Sequence, residues 1–431
     1  MLSELQTQTI SKKQIFSWAM YDWANSAFST TVIAGLFPIF FKDFWSKGTP
    51  PTESTLYLGL SVSVASLIVA VLSPVLGAFA DQGSAKKRLL FLFAVLGISM
   101  TGSLYFIGEG QWPFAILLYT LANIGFLCGN TFYDSLIMEV STPNNVDVVS
   151  GQGYALGYIG GGLLFLLNII MIQNPVMFGL SGSASAVQVS FLSVAVWWAV
   201  FSIPIFLFVP ESTGDKKLTI SEASRLGFRQ LLDTFREIKQ YKMVVMFLFA
   251  YWLYIDGVDT IISMAVDYGK SLGVQNSDLI TALLMVQFVA FPFALLFGYL
   301  AQKFNTKAMI LIGISVYILV TWLGANLDLV PVEVFGFQFS KFFVIAFLVG
   351  MVQGGVQALS RSYYSRLIPK DKSAEFFGFY NMIGKFAAII GPVMMGSVAF
   401  MTGDPRMGIQ SIAILFVLGA VILVAVKPIE K

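Results

Sequence analysis

The sequence predicts an all-α polytopic membrane protein of twelve transmembrane helices arranged as two pseudo-symmetric six-helix bundles. Three observations carry this: the composition, a series of apolar runs of bilayer length, and a polar pattern that recurs after six of those runs. Hydrophobic residues form 57% of the 431-residue chain and charged residues 12%, with a mean hydropathy of +0.78; a soluble domain carries about twice that charged fraction. Lys and Arg number 26 against 24 Asp and Glu, a net charge of +2, so no global field gathers polyanions and nucleic acid is not an expected partner. Histidine is absent and Cys128 is the single cysteine. Disulfide frameworks, Cys/His metal sites and histidine general-base chemistry are thereby excluded or handicapped, and no metal or cofactor is expected.

A helix needs roughly 20 apolar residues to cross a hydrocarbon core of roughly 30 Å. Runs of that size fall at 15–41, 56–80, 89–108, 113–138, 151–173 and 187–209, then at 243–266, 277–301, 308–327, 340–367, 375–402 and 407–427. The first follows a polar leader with Lys12 and Lys13, but it is too long for a signal-peptide core and no A-x-A-like cleavage site follows, so it is expected to be retained. With both termini inside, the cytoplasmic segments hold 19 Lys and Arg residues and the outer ones only Lys42, Lys47, Lys270, Lys341 and Arg406. Positive residues stay on the cytoplasmic side, which predicts cytoplasmic termini in a cell (inner) membrane.

The longest polar interval, 210–242, separates an N-terminal bundle (1–209) from a C-terminal one (243–431). Within it Thr219 and Glu222 have capping-box spacing, and Leu226, Leu231, Phe235 and Ile238 recur at near-helical intervals among Arg225, Arg229, Arg236 and Lys239. An amphipathic helix on the inner membrane surface is expected, either a tether between the bundles or a regulatory docking site.

Repeats within transporter chains leave weak internal symmetry. Setting YDWANSAFS (21–29) on IDGVDTIIS (255–263) aligns Asp22 with Asp256, Asn25 with Asp259, Ser26 with Thr260 and Ser29 with Ser263. Likewise GAFADQGSAKKR (77–88) lies on GYLAQKFNTK (298–307), bringing Gly77 to Gly298 and Asp81 to Gln302, and FYDSLIMEVSTP (132–143) lies on LSRSYYSRLIP (359–369), bringing Pro143 to Pro369. All three registers agree on a parallel repeat of six spans.

The Gly77-x-x-x-Asp81 pattern with a basic cluster after span 2 resembles the loop signature of the major facilitator superfamily, although GSAKKR (83–88) lacks the signature's later glycine. YDWANSAF (21–28), YIDGVDTI (254–261), SRSYYSRLIP (360–369) and EFFGFYNMIGKFAAIIGP (375–392) resemble one branch, the unknown-major-facilitator family, relatives of the autophagy-linked vacuolar amino-acid effluxer of yeast. The yeast branch's extended tails and long loops are missing, which points to a bacterial member. The resemblance implies a major facilitator fold, with spans 1, 4, 7 and 10 around a central cavity, and a transporter.

An ionised side chain at mid-helix costs about 2.5 to 3.5 kcal/mol, so Asp22, Asp134, Asp256, Asp259, Arg361 and Lys385 together call for compensation on the order of 15 kcal/mol. Positions 22, 25, 26 and 29 lie at i, i+3, i+4 and i+7, which puts Asp22, Asn25, Ser26 and Ser29 on one helical face. The repeated set, with Asp256, Asp259 and Ser263, does the same on span 7. Either these stripes line the aqueous cavity implied by the resemblance and bind substrate or a coupling H+ or Na+, or they join helices by hydrogen bonds worth about 0.6 to 2 kcal/mol each. Asp22, near the inner end of span 1, could instead cap or pair at the membrane surface.

Arg361 lies one position on from the counterpart of Asp134. The two either form a latch across the halves, or Arg361 grips a substrate carboxylate or phosphate with its planar fork. Lys385 is a counter-ion or a substrate anchor. Asp81 with Lys86, Lys87 and Arg88 reads as a gating loop that bonds neighbouring helix ends in one state, or as topogenic charge alone. Glycines of spans 5 and 11, including Gly157 and Gly391 beside Pro392, permit close approach or bending. Trp23 and Tyr254 are candidate cavity residues. If every intramembrane group is ionised, two negative charges remain unpaired, which suits a zwitterion or an amine.

The expected activity is secondary transport of a small polar or zwitterionic, amino-acid-like metabolite by alternating access, by a monomer in the bilayer. A proton-driven exporter of amphipathic drugs or lipid-like molecules is the second transport reading, and a membrane-embedded enzyme or sensor the reading of another class.

Overall fold

The computed structural model describes residues 10–49, 51–211, 238–328, 332–334 and 337–427, with 222, 225, 226, 229, 232–234 and 236 of the connecting segment. Twelve helices run through it. The first half holds α1 (Lys12–Trp45), α2 (Pro51–Gly83), α3 (Lys86–Ser103), α4 (Trp112–Ser135), α5 (Val146–Gln173) and α6 (Ser183–Phe208). The second holds α7 (Lys242–Ser271), α8 (Asn276–Lys303), α9 (Thr306–Ala325), α10 (Lys341–Leu367), α11 (Ser373–Thr402) and α12 (Pro405–Ala425). Among the described residues 11 helices are long and apolar enough to cross a bilayer; the remaining one, α11, is helical over 30 residues.

Helix ends follow local chemistry. Ser11 and Gln14 form a reciprocal capping box at the start of α1, at 3.2 and 2.8 Å, which satisfies two amide groups that the helix leaves open. Further along, α1 widens to i→i+5 hydrogen bonding over Phe28–Leu36 and again over Phe41–Trp45. One feature departs from the all-helical expectation: β1 (Val332–Val334) and β2 (Phe337–Phe339) pair antiparallel in the α9–α10 connection. Strands of 3 residues are too short to show a period in sequence.

Packing repeats with the six-helix shift. α1 packs on α5 and α6, α2 on α4, and α3 on α4 and α6; correspondingly α7 packs on α11 and α12, α8 on α10, and α9 on α10 and α12. Contacts between the halves obey the same exchange, α5 meeting α8 and α10 as α11 meets α2 and α4. A side chain at Gly77 would strike the backbone of Ala374 and Glu375 in the first turn of α11, and one at Gly298 the backbone of Asp147 and Val148 in the first turn of α5. The aligned glycines thus serve one device used twice, a helix end seated against a helix start on the side that holds both termini.

In the connecting segment Glu222, Arg225, Leu226, Arg229, Leu232, Asp233, Thr234 and Arg236 are helical, with all three arginines exposed and Thr234 buried. Thr219, Leu231 and Phe235 lie outside the described residues. Glu211, where the segment begins, accepts the N–H groups of Lys86 and Lys87 at the start of α3; burial raises its pKa above the ordinary glutamate value, against the opposing pull of those groups.

Replacing Gly77 or Gly298 with valine should loosen closure on the termini side. In a Cys128→Ser background, maleimide labelling of Ser365→Cys from that side should rise about fivefold for each 1 kcal/mol shifted toward the open form. Unchanged labelling would show that neither contact governs closure.

Candidate functional site

Asp22, Asn25, Ser26 and Ser29 of α1 line a cavity of about 360 Å³ between the halves. The widened turns keep Thr30 and Ala34 on the same wall. Opposite them stands Asp259 of α7. Amides supply much of the remaining polarity: Asn130, Gln287, Gln353, Gln357 and Asn381, with the Asn25 amide donating to Asn130 Oδ1 at 2.7 Å. Tyr133, Tyr154, Tyr158, Tyr251 and Tyr380 complete it. Trp23 and Tyr254 are not among the lining residues: the first stacks on Trp197 at 5.4 Å, and the second is buried with its hydroxyl 2.7 Å from Ser360 Oγ.

At the floor lies Arg361, 1% exposed. Its Nη1 donates to Asp134 Oδ1 at 3.0 Å and reaches Asp22 Oδ2 at 3.5 Å, while Nε and Nη2 donate to the hydroxyl and carbonyl oxygens of Ser150 at 3.0 and 3.1 Å. Tyr133 donates to Asp22 Oδ2 at 2.7 Å and Asn381 to Asp134 Oδ2 at 3.1 Å. The guanidinium also faces the rings of Tyr154 and Trp18 at 4.4 and 4.8 Å. A buried guanidinium demands this density of acceptors, since removing one partner of a buried pair typically costs about 3–5 kcal/mol. Among the described residues its acceptors, on Asp22, Asp134 and Ser150, all come from the first half, so the cluster joins the two.

Two further polar clusters lie beyond that floor, toward the termini. Asp81 accepts the N–H groups of Ala374 and Glu375 at 3.1 and 2.9 Å, placing an anion at the positive end of α11. Lys86 bridges Asp81 (3.3 Å), Ser373 (2.7 Å) and Glu139 (3.8 Å). Arg88, expected in the gate, is exposed and among the described residues has no hydrogen bond or ion pair; Lys86, two positions earlier on the first turn of α3, points inward instead. In the second cluster buried Asp147 takes Arg366 at 2.7 and 3.0 Å, Thr306 at 2.9 Å and Ser362 at 2.6 Å. Gln302, aligned with Asp81, donates to the Asn144 carbonyl at 2.8 Å. Asp147 and Arg366 escaped the sequence reading because both sit at helix ends, where charge is ordinary; the aligned prolines nearby were the available signal, since Arg366 also bonds the Pro143 carbonyl at 3.0 Å.

Two expected positions differ. The Asp256 carboxylate does not line the cavity but accepts the Gly391 N–H at 2.9 and 3.0 Å, with Thr260 Oγ1 at 3.5 Å, in the turn that Pro392 distorts. Ser263 is exposed and donates to the Thr260 carbonyl at 3.3 Å. The side chain of Lys385 lies outside the described residues. The repeat therefore breaks at α7: the partner of Asp22 pins α11, and the partner of Asn25 faces the cavity.

Across the cavity, on the side of Arg361 away from the termini, the halves meet through neutral groups, among them Tyr158 donating to Gln357 at 2.8 Å and Gln287 to Thr30 at 2.9 Å. A neutral hydrogen bond contributes about 0.5–1.5 kcal/mol net, so this side parts more readily than the ion-paired one.

The sequence matches a family profile described as vacuole effluxer Atg22 like over residues 10–140 and 139–430. The MFS-type transporter YxiO of Bacillus subtilis is 39% identical over 421 residues, 95% of this chain and 94% of its own. Autophagy-related protein 22 of Yarrowia lipolytica is 25% identical over 472 residues, 87% and 78% of the two chains. Among solved structures the proton:xylose symporter XylE superposes with a TM-score of 0.70 at 14% identity over 97% of this chain and 95% of that one. The major facilitator superfamily transporter FucP, in an outward conformation, does so at 0.67 and 13% over 96% and 98%. Both likenesses are of fold alone.

Asp256→Ala should lower thermal stability by about 1–3 kcal/mol, the usual penalty for a buried donor left unsatisfied, whereas Ser263→Ala, at an exposed position, should leave the unfolding midpoint near wild type. Equal midpoints for the two variants in a detergent-based thermal assay would refute the structural assignment of Asp256.

Proposed function

The chain belongs to the vacuole effluxer Atg22-like family, and from that premise we propose that it moves a small zwitterionic metabolite of the amino-acid class by alternating access, coupled to protons. That it is a major facilitator superfamily transporter, and not an enzyme, follows from the family and its relatives. The observation that carries the finer reading is the mixed charge of the cavity, whose described lining includes Asp22, Asp134 and Asp259 together with Arg361. An ammonium group suits the carboxylates of that wall. Amides and tyrosyl hydroxyls offer donors to a cargo carboxylate, and this polar wall suits a small metabolite better than an amphipathic drug.

A guanidinium has five N–H donors, and Arg361 directs four of them to Asp134, Asp22 and Ser150. That favours the latch over a clamp on an anionic cargo. Opening on the termini side pulls Arg361 off two carboxylates; protonating Asp22 or Asp134 at that moment removes the penalty of an unpaired buried charge. Coupling then arises from the latch itself, with Asp259 carrying the proton or the cargo amine in the second half. The excess of Lys and Arg on the termini side supports cytoplasmic termini in the cell membrane, which makes the closed side cytoplasmic and the weakly joined side external. The protein works as a monomer.

Counterflow and uptake in proteoliposomes across an amino-acid panel, with and without an imposed pH gradient, test this. Gradient-driven accumulation should vanish in Asp259→Asn while exchange of the same amino acid persists. Failure of every amino acid to exchange would reject the cargo class, and wild-type accumulation by both Asp22→Asn and Asp259→Asn would reject proton coupling.

A further inference from the structure

A second cavity, of about 680 Å³, opens on the membrane face between α1, α5 and α8 at their termini-side ends. Its walls are largely apolar, with Phe16, Leu156, Phe291 and Leu295 among them, and Lys12 is the only charged residue lining it among the described residues. Six-helix symmetry provides an internal control. The equivalent place in the second half, between α7 and α11, is a smaller cavity of about 250 Å³ whose wall includes Thr234 and Tyr241 of the connecting segment. There Tyr241 packs on Phe376 at 5.0 Å, and Lys372 reaches Thr234 at 3.4 Å. In that half the connecting segment supplies part of the groove's own wall. In the first half the groove is open and, among the described residues, Lys12 has no hydrogen bond or ion pair. Its neighbour Lys13 is engaged, lying 3.4 Å over the Phe208 ring, so the two lysines diverge and only Lys12 serves the groove.

We propose that this groove is a phospholipid site, taking one acyl chain between Phe16 and Phe291 and holding an anionic headgroup at Lys12. Lys12 begins α1, which sets its ammonium at headgroup depth, and Ala19, seven residues on, lies at roughly 10 Å from it along the helix, within the hydrocarbon. Among the described residues no acid lines the groove, and headgroups without net charge lack the lysine's attraction. Because α5 belongs to the first half and α8 to the second, the bound lipid touches both, and its site changes shape when they rock.

Native mass spectrometry of the detergent-purified full chain, with phosphatidylglycerol or phosphatidylcholine added, tests this without any transport readout. Wild type should retain one phosphatidylglycerol about fivefold more readily than phosphatidylcholine, the factor that a lysine beside an anionic surface contributes. Lys12→Gln, at an exposed position, should erase that preference, and Leu156→Trp should exclude both lipids. Equal retention of the two lipids by wild type, a preference that survives Lys12→Gln, or unchanged retention by Leu156→Trp would each overturn the proposal. So would a dimer peak lost in Leu156→Trp, which would assign the groove to a second copy of the chain.

Discussion

One guanidinium sets the terms for the rest of the molecule. Arg361 is a permanent cation deep in a protein whose solvent is hydrocarbon, and the carboxylates that neutralise it, Asp22 and Asp134, come from the other half of the chain. Neither bundle can close on itself without stranding charge. Each half therefore completes the solvation of the other, and the termini-side contacts follow from that: Asp81 at the start of α11, Lys86 between Asp81 and Ser373, Arg366 on Asp147. The opposite side, held by neutral groups, has no such obligation. A transporter needs this inequality, because two equally strong seals would trap its cargo.

Repetition explains the frame and its failure explains the site. Gly77 and Gly298 perform the same approach in the two halves, yet beside them Asp81 carries a charge where Gln302 carries an amide. Gly157 lies beneath the Ser26 hydroxyl as Gly391 lies beneath that of Thr260, but Tyr158 follows the first and Pro392 the second. That one difference redirects a carboxylate: Asp256 turns to the distorted turn of α11, and Asp259, one helical turn on, faces the cavity. Symmetry supplies two rigid bodies, and its departures supply a polarised chamber between them.

The frame was legible because a bilayer imposes a length on every crossing and because six-span repetition survives in a few polar positions. The α1 stripe was legible for the same reason, although α1 turned out to use wider turns than the i, i+3, i+4, i+7 rule assumes. The α7 stripe was misread since the partner of Asp256 is a backbone amide 135 residues away, and a backbone amide leaves no letter in the sequence. Lys86, Lys87 and Arg88 carry the same charge in one loop, whereas neighbouring residues on a helix point in different directions and only packing decides which turns inward. Tyrosines of the cavity wall were invisible for another reason: in a chain with 16 of them a phenol hydroxyl gives no pattern against the aromatic background.

The broad turns of α1 bear on how the chamber can change. Where Phe37 donates back to Val32, and again where Ser46 donates to Phe41 at 2.8 Å, each loop of backbone contains one residue more than an α-helix requires. Releasing that residue into the neighbouring turn would swivel everything beyond it about the helix axis while the half facing Arg361 stayed in place. The rim around Trp45 can thus be reset by a slippage internal to one helix, with the salt-bridged base undisturbed.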